Sequence, residues 1–317
     1  MWKYILKRLL ALIPVILGVI FIIYLILYLT PGDATATILG QGYTAEAAAE
    51  LREELGLNRP FFVQFFDYVL GLLRGDFGTS YVRNEPVLVQ LSARFPNTLL
   101  LVVISMVLCT VLSVPIGIRS AVKPNSFFSY ITSAIGMVGI ALPSFWLGLM
   151  LILLCAVNWK ILPAEGSATV RGIILPSITL CASFMASTMR TTRSSMLEAL
   201  NQDYIRTARA KGVSKRDVVY KHALKNALLP VITVVGMNIG TQMGGSVLTE
   251  TVFSYPGLGR LLMIGIQDRD TPTVLGCLVV MALCIGICNL IVDVIFAYVD
   301  PRLRSQYVKG GKKKNAK

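Results

Sequence analysis

The chain has 317 residues, 55% of them hydrophobic, with a mean hydropathy of +0.67 and a net charge of +13. A soluble domain averages about 45–50% apolar residues; here the excess is gathered in blocks, which argues against a soluble enzyme and for an integral membrane protein. The positive charge does not imply nucleic acid, because its distribution along the chain follows the positive-inside rule.

Leu9 to Leu29 is an apolar run of 21 residues, and about 20 are needed to cross the hydrocarbon core. The following "ATA" at 34–36 resembles a signal-peptide cleavage site, but the apolar part of a signal peptide is shorter, about 7–15 residues. The run is therefore read as a first span, with residues 1–30 forming the N-terminus and first helix. Residues 31–96 form an extracytoplasmic segment. Within it "TAEAAAELREELGLNRP" predicts a short helix, with Thr44 as N-cap, Gly56 as stop and Pro60 as a break. "FFVQFFDYVLGLLRGDFGTS" (61–80) predicts an amphipathic helix ending at Gly75, its aromatic residues suited to a membrane interface.

Further spans are expected at 97–119, 128–158, 174–193, 229–249 and 274–298, the fourth starting after Pro176. The third is long and contains Pro143, so it reads as one kinked span or two short ones. Charge decides between them. With six spans and a cytoplasmic N-terminus, the inside segments hold 21 of the 30 basic residues against four acids, a net of +17, and the outside segments have a net of −3. Splitting the third span would place the basic 190–225 region outside, against the rule. The fold class is thus all-α with six transmembrane helices, a five-helix core over 97–300 and a basic cytoplasmic tail over 301–317. N- and C-termini are both cytoplasmic.

No nucleotide-binding G-x-x-x-x-G-K-[ST] occurs, "GGKKK" at 310–314 having neither its spacing nor its Ser/Thr. The only histidine is His222, and neither H-E-x-x-H nor paired carboxylates lie in a span. No catalytic residue, metal site or cofactor is therefore expected in this chain. The six cysteines lie in apolar blocks and are read as packing residues. A proton- or ion-driven carrier needs ionisable groups near the midplane. The spans offer only Asp293 and Arg190, both at inside edges. Energy for uphill transport would have to come from another subunit; an ATP-independent carrier is the alternative from a different class.

On the fifth span Gly236, Gly240 and Gly244 repeat every four residues, a small-residue stripe for helix packing. Asn238, Thr241, Gln242, Gly245 and Thr249 are read as a polar side opposite it. Ser183 and Ser187 supply similar groups on the fourth span. Polar groups facing lipid are costly, so these are expected to line a translocation pathway or to bond neighbouring helices. No ring of charges that would select an ion is present.

The loop over 194–228 reads as helix–turn–helix. Tyr204–Lys211 is helix-forming, Gly212 stops it, Ser214 caps the next helix, and that helix runs to Pro230. Lipid contact at an interface is the plain reading of a basic amphipathic loop. The small residues Ala208, Ala210 and Gly212 at the turn favour docking of a protein surface.

"TARAKG" followed by "HALKNALLP" resembles the cytoplasmic loop of bacterial ABC importer permeases, whose pattern is E-A-A-x-x-x-G-x9-I-x-L-P. Gly212, Ala208 and Leu224 match it; Arg206, Thr207, His222 and Lys225 depart from it, in the manner of the dipeptide/oligopeptide (and nickel) branch. "YILKRLLALIPVILGVIFIIYLILYLTPGD", "GDFGTS", "ALPSFWLGLMLI", "RTTRSSMLEAL", "ETVFSYPGLGRLL" and "NLIVDVIFAYVDPRLR" resemble the same branch, in order, over nearly the whole chain.

The resemblance implies a permease subunit of the bacterial cytoplasmic (inner) membrane that moves short peptides by alternating access, or in the alternative nickel or a metal chelate. The implied partners are a second homologous permease, two cytoplasmic ABC ATPase subunits that hold the ATP and Mg, and an extracytoplasmic substrate-binding protein. Arg206, Thr207, Ala208, Arg209, Ala210, Lys211, Gly212, Val213 and Ser214 become the ATPase-coupling loop. Ala208 and Gly212 would permit close docking, and Arg209, Lys211 and Lys215 would pair with acids on the ATPase.

Overall fold

A computed structural model describes residues 2–30, 34–40 and 43–299; the basic tail over 301–317 lies outside the described residues. All regular elements among them are helical, apart from one isolated bridge between Thr79 and Pro86. The first helix, α1 (Trp2–Leu29), spans 28 residues, or about 42 Å at 1.5 Å per residue. Its apolar side chains, among them Leu10, Ile13, Val15, Ile22 and Ile26, are more than half exposed. A helix this long and apolar, bare on most sides, suits lipid rather than water.

The segment after the first helix folds back onto α1. Short helices α2 (Ala34–Leu39) and α3 (Ala45–Glu54) lead to α4 (Phe61–Leu73). Thr44 caps α3 by accepting from the Ala47 amide, and Gly56 (φ 68°) and Gly75 (φ 82°) end the second and third of these as expected. Phe61 and Phe65 pack edge-on against Phe21 of α1, and the Tyr24 hydroxyl donates to Gln64 (3.0 Å). Phe62 and Phe66 stay exposed on the other face.

The remaining helices are longer than the sequence blocks predict. The second span lies within α5 (Val87–Val122), 36 residues with Pro96 and Pro115 inside it. The fourth lies within α8 (Val170–Leu200). It starts at the Thr169 cap, not after Pro176, which sits inside the helix. Prolines are tolerated within membrane helices because neighbouring groups re-satisfy the backbone.

The third predicted span is broken. The helix α6 (Phe127–Ala141) and the pair formed by α7 (Ser144–Leu151) with a π-helical turn (Ile152–Asn158) are bent by 104° to each other. Pro143 has no amide hydrogen and drives Leu142 out of the helical region (ψ 127°). Among the described residues there are therefore five continuous helices long and apolar enough to cross a membrane, and a sixth span if the bent pair counts as one.

Two short helices, α9 (Asp203–Ala210) and α10 (Lys215–Asp217), follow α8 and form a hairpin. A π-helical turn (Val218–Ala223) then leads directly into α11 (Leu224–Val252). The helix does not end at Pro230, so the predicted loop over 194–228 is shorter than expected. The chain closes with α12 (Leu258–Gln267) and α13 (Thr271–Val299).

Helix α8 is the centre of the bundle, between α5, α6, α7 and α11. Gly117 on α5 lets it approach closely: a Cβ there would lie 2.6 Å from Thr192 and 2.8 Å from the Met189 carbonyl. Arg8 on α1 pairs with Asp293 on α13 at 2.8 Å, which gives the carboxylate within the last span an ionic partner.

Candidate coupling hairpin and translocation surface

The hairpin starts where α8 ends. Helix α9 has Asp203 in its first turn and Arg209 in its last, each complementing the helix dipole. The Gly212 amide donates to the Arg209 carbonyl (3.0 Å) and the Val213 amide to the Ala208 carbonyl (3.2 Å). That pair of bonds is the glycine-terminated helix stop, and it needs the left-handed backbone that Gly212 adopts at φ 76°. Ser214 then caps α10, accepting from the Asp217 amide and donating to its carboxylate.

Burial sorts the hairpin residues into two groups. Ile205 and Ala208 are buried with Met196, Ala199, Val218, Ala223 and Ala227, and with Ile118 and Ala121 of α5. Ala208 is therefore small because its own chain packs on it, which corrects the expectation that it is open for docking. Gly212 has open space around it, and what it supplies is a backbone conformation. Arg206, Thr207, Arg209, Ala210, Lys211 and Ser214 are exposed, and Val213 is half-buried against the cluster. Arg206 pairs with Asp203 at 3.7 Å. Arg209, Lys211 and Lys215 form no ion pair among the described residues.

The small-residue stripe of α11 splits. A Cβ on Gly236 would meet Val292 at 2.5 Å, and one on Gly240 would meet Asn289 at 3.3 Å, so both seat α13. Gly244 has nothing within 4 Å and is exposed. At 100° per residue a four-residue repeat drifts by about 40° each step, which carries the third glycine off the contact. Gly236→Leu is accordingly expected to destabilise the chain by about 1–3 kcal/mol, and Gly244→Leu to leave stability unchanged. Thermal unfolding of both variants in detergent checks this; equal effects would refute the assignment.

The predicted polar side of α11 also divides. Thr241, Gly244, Gly245 and Leu248 fall on one exposed stripe with Met237. Asn238 and Gln242 point into the bundle instead. The Asn238 amide donates to Thr188 on α8 (3.4 Å), and Gln242 is fully buried with neither amide atom partnered. Ser183 and Ser187 bond back to the carbonyls of Thr179 and Phe184 on their own helix. Among the described residues no group of three or more His, Cys, Asp or Glu is placed to hold a metal.

Sequence reading missed two buried acids at the end of the bundle away from the hairpin. Glu250, the single acid within α11, is fully buried. Its carboxylate accepts from the Gly259 and Arg260 amides at the start of α12 (2.7 and 3.1 Å) and from the Thr98 hydroxyl of α5 (2.8 Å). Thr98 in turn accepts from the Leu258 amide (2.7 Å), and Arg260 donates to the Ser254 carbonyl. Burial pushes the nearby Tyr255 phenol up to about 12, with Glu250 adding to the shift, and its hydroxyl donates to the Asn97 carbonyl (3.0 Å).

Asp270 does the same for α13, accepting from Ser80, Thr273 and the Tyr81 amide (2.5, 2.7 and 3.0 Å). Both acids lie within or beside quoted motifs, "ETVFSYPGLGRLL" and, through Ser80, "GDFGTS". No local pattern there reports a partner 152 or 190 residues away. Beside this region a cavity of about 800 Å³ opens between α1, the short helices that follow it and the start of α13, lined by Tyr24, Tyr28, Asn58, Gln64, Tyr81 and Gln267.

A bundle of helices long and apolar enough to cross a membrane, with a basic hairpin at one end, is the architecture of a multi-span membrane protein. The chain belongs to the binding-protein-dependent transport system inner membrane components, matching that family over residues 113–305 and its N-terminal region over residues 1–102. It is 40% identical to a dipeptide transport system permease protein of Alkalihalophilus pseudofirmus, covering 96% of this chain and 100% of that one. It is 40% identical to an oligopeptide transport system permease protein of Bacillus subtilis and 41% identical to a glutathione transport system permease protein of Salmonella choleraesuis, over 96% of this chain and 99% of each relative. Among solved structures it resembles the inward-facing MetNI methionine ABC transporter. The TM-score is 0.55 at 23% identity, covering 67% of this chain and 97% of that one, so the shared feature is the fold.

Proposed function

We propose that this chain is a permease subunit of an ATP-driven importer of short peptides and works by alternating access. The observation that carries the substrate class is that relatives about 40% identical over nearly the full length are named for dipeptide, oligopeptide and glutathione transport. In this reading both termini are cytoplasmic. The partners are a second, related permease, two ATPase subunits that hold ATP and Mg, and an extracytoplasmic binding protein, which supplies most of the specificity.

The hairpin is the coupling element. Its exposed face of Arg206, Thr207, Arg209, Ala210, Lys211 and Ser214 meets the ATPase, and its buried face transmits the movement. That buried face shares one core with α5, α8 and α11. Packed cores are close to rigid, so a push on α9 moves those three helices together. The exposed stripe of Thr241, Gly244 and Gly245 lines the pathway or meets the second permease.

Reconstitution in proteoliposomes tests the reading. Labelled dipeptide should accumulate only when ATP, the ATPases and the binding protein are all supplied. Accumulation that persists without the ATPases would sink it in favour of a self-sufficient carrier.

A further inference from the structure

We propose that a pocket between α5, α6 and α8, at the hairpin end of the bundle, binds the phosphate headgroup of an anionic phospholipid. The pocket holds about 270 Å³. Its polar wall is Ser120, Thr132, Ser133, Arg190 and Arg193. Arg190 and Arg193 lie three apart on α8, on one side of the helix. No acid lines the pocket, and neither arginine forms an ion pair among the described residues.

Arg193 donates from Nη1 to Ser133 Oγ (3.1 Å), while its Nε is buried without a hydrogen-bond partner. A buried donor on a cation left unpaired is costly. An acceptor oxygen in the pocket would satisfy it. Two guanidinium groups with a hydroxyl beside them suit a phosphodiester, whose oxygens accept several charged hydrogen bonds at once.

The surroundings favour a lipid over a soluble phosphate. The opposite wall is apolar, made of Ala186, Met189, Gly136 and Met137. The outward face of α6 carries Phe127, Tyr130, Ile135, Met137 and Val138, all more than half exposed. Tyr and Phe at the first turn and aliphatic residues beyond it are the order found where a helix enters a bilayer. Ser133 lies six residues into α6, about 9 Å along the axis, at headgroup depth. Arg119, the chain neighbour of Ser120, sits over the Phe128 ring of α6 (5.0 Å) and adds a further positive charge to this end of the bundle. A phosphate on the arginines would leave its acyl chains to run along Met137 and Ile135.

The test is native mass spectrometry of the full chain in detergent with equal amounts of phosphatidylglycerol and phosphatidylcholine. Phosphatidylglycerol should be retained about tenfold over phosphatidylcholine, in line with two charge-assisted contacts near a membrane surface. Arg190→Gln with Arg193→Gln should bring the two lipids to parity while phosphatidylcholine retention stays constant. A photoreactive phosphatidylglycerol bound to the unaltered chain should crosslink to α6 and α8 peptides, which locates the site without any variant. Equal retention of both lipids by the unaltered chain overturns the proposal, as does a preference that survives the double substitution or crosslinking confined to other helices. Displacement of the lipid by millimolar glycerol 1-phosphate would assign the pocket to a soluble phosphate and overturn it as well.

Discussion

Exchanging Arg209, Lys211 and Lys215 together for glutamate is expected to reduce ATP-driven peptide uptake at least tenfold while leaving membrane insertion unchanged and lowering stability by no more than about 1 kcal/mol, the cost of an anion in the last turn of α9. The three side chains are exposed and enter no ion pair among the described residues. Reversing them therefore breaks no ion pair among the described residues, and the small cost at the end of α9 is far below the loss expected in uptake. Against an acidic groove on an ATPase, however, each reversal replaces attraction by repulsion, and like-charge juxtaposition at an interface costs several kcal/mol. Three such changes exceed the 1.4 kcal/mol that corresponds to a factor of ten. The measurements are uptake into proteoliposomes and binding-protein-stimulated ATP hydrolysis, with circular dichroism melting as the control for folding. Unchanged uptake would remove the hairpin from the coupling role.

This triple exchange is a cleaner probe than substitution at Gly212 or Ala208. At φ 76° any side chain on Gly212 strains the end of α9 whether or not a partner docks there. A large residue at Ala208 would overfill the core shared with Ile205 and Val218. Loss of transport in either variant could follow from damage to the hairpin itself.

The second large effect is at the end of the bundle away from the hairpin. Glu250→Ala is expected to destabilise the chain by about 3–5 kcal/mol, because it strands the Gly259 and Arg260 amides and the Thr98 hydroxyl in a buried site. Glu250→Gln should cost much less. Its amide oxygen can still accept from the two backbone amides, and its nitrogen can donate to Thr98 in place of the bond it received. Thermal unfolding of both variants in detergent checks the order. If alanine and glutamine prove equivalent, the carboxylate is not the clasp between α11, α5 and α12 described above. Because Glu250 clasps the first turn of α12, which otherwise rests on α11 through apolar packing on Val247, the alanine variant should also show faster proteolysis or hydrogen exchange over 253–267 than elsewhere.

Much of this protein is legible along the chain alone. Apolar blocks of about 20 residues locate the helices able to cross a membrane, because hydrocarbon demands a minimum length whatever the neighbours are, while the size of the bend at Pro143 shows only in the fold. The hairpin at Gly212 and Ser214 and the helix at Thr44 were equally readable, since a left-handed stop and a hydroxyl cap are satisfied within a few residues. The clustering of basic residues at one end follows from membrane insertion, which acts on sequence.

What tertiary structure decided is which face of each element is used. Ala208 and Gly212 are both small, yet one is small for a packed core and the other for its backbone angle. Gly240 and Gly244 share a repeat, yet helix rotation leaves only the first against α13. Glu250 and Asp270 looked like surface charge until the fold brought Thr98 and Ser80 to them from far along the chain. Periodicity reports that a helix has faces; only the packing of the other helices says what each face meets.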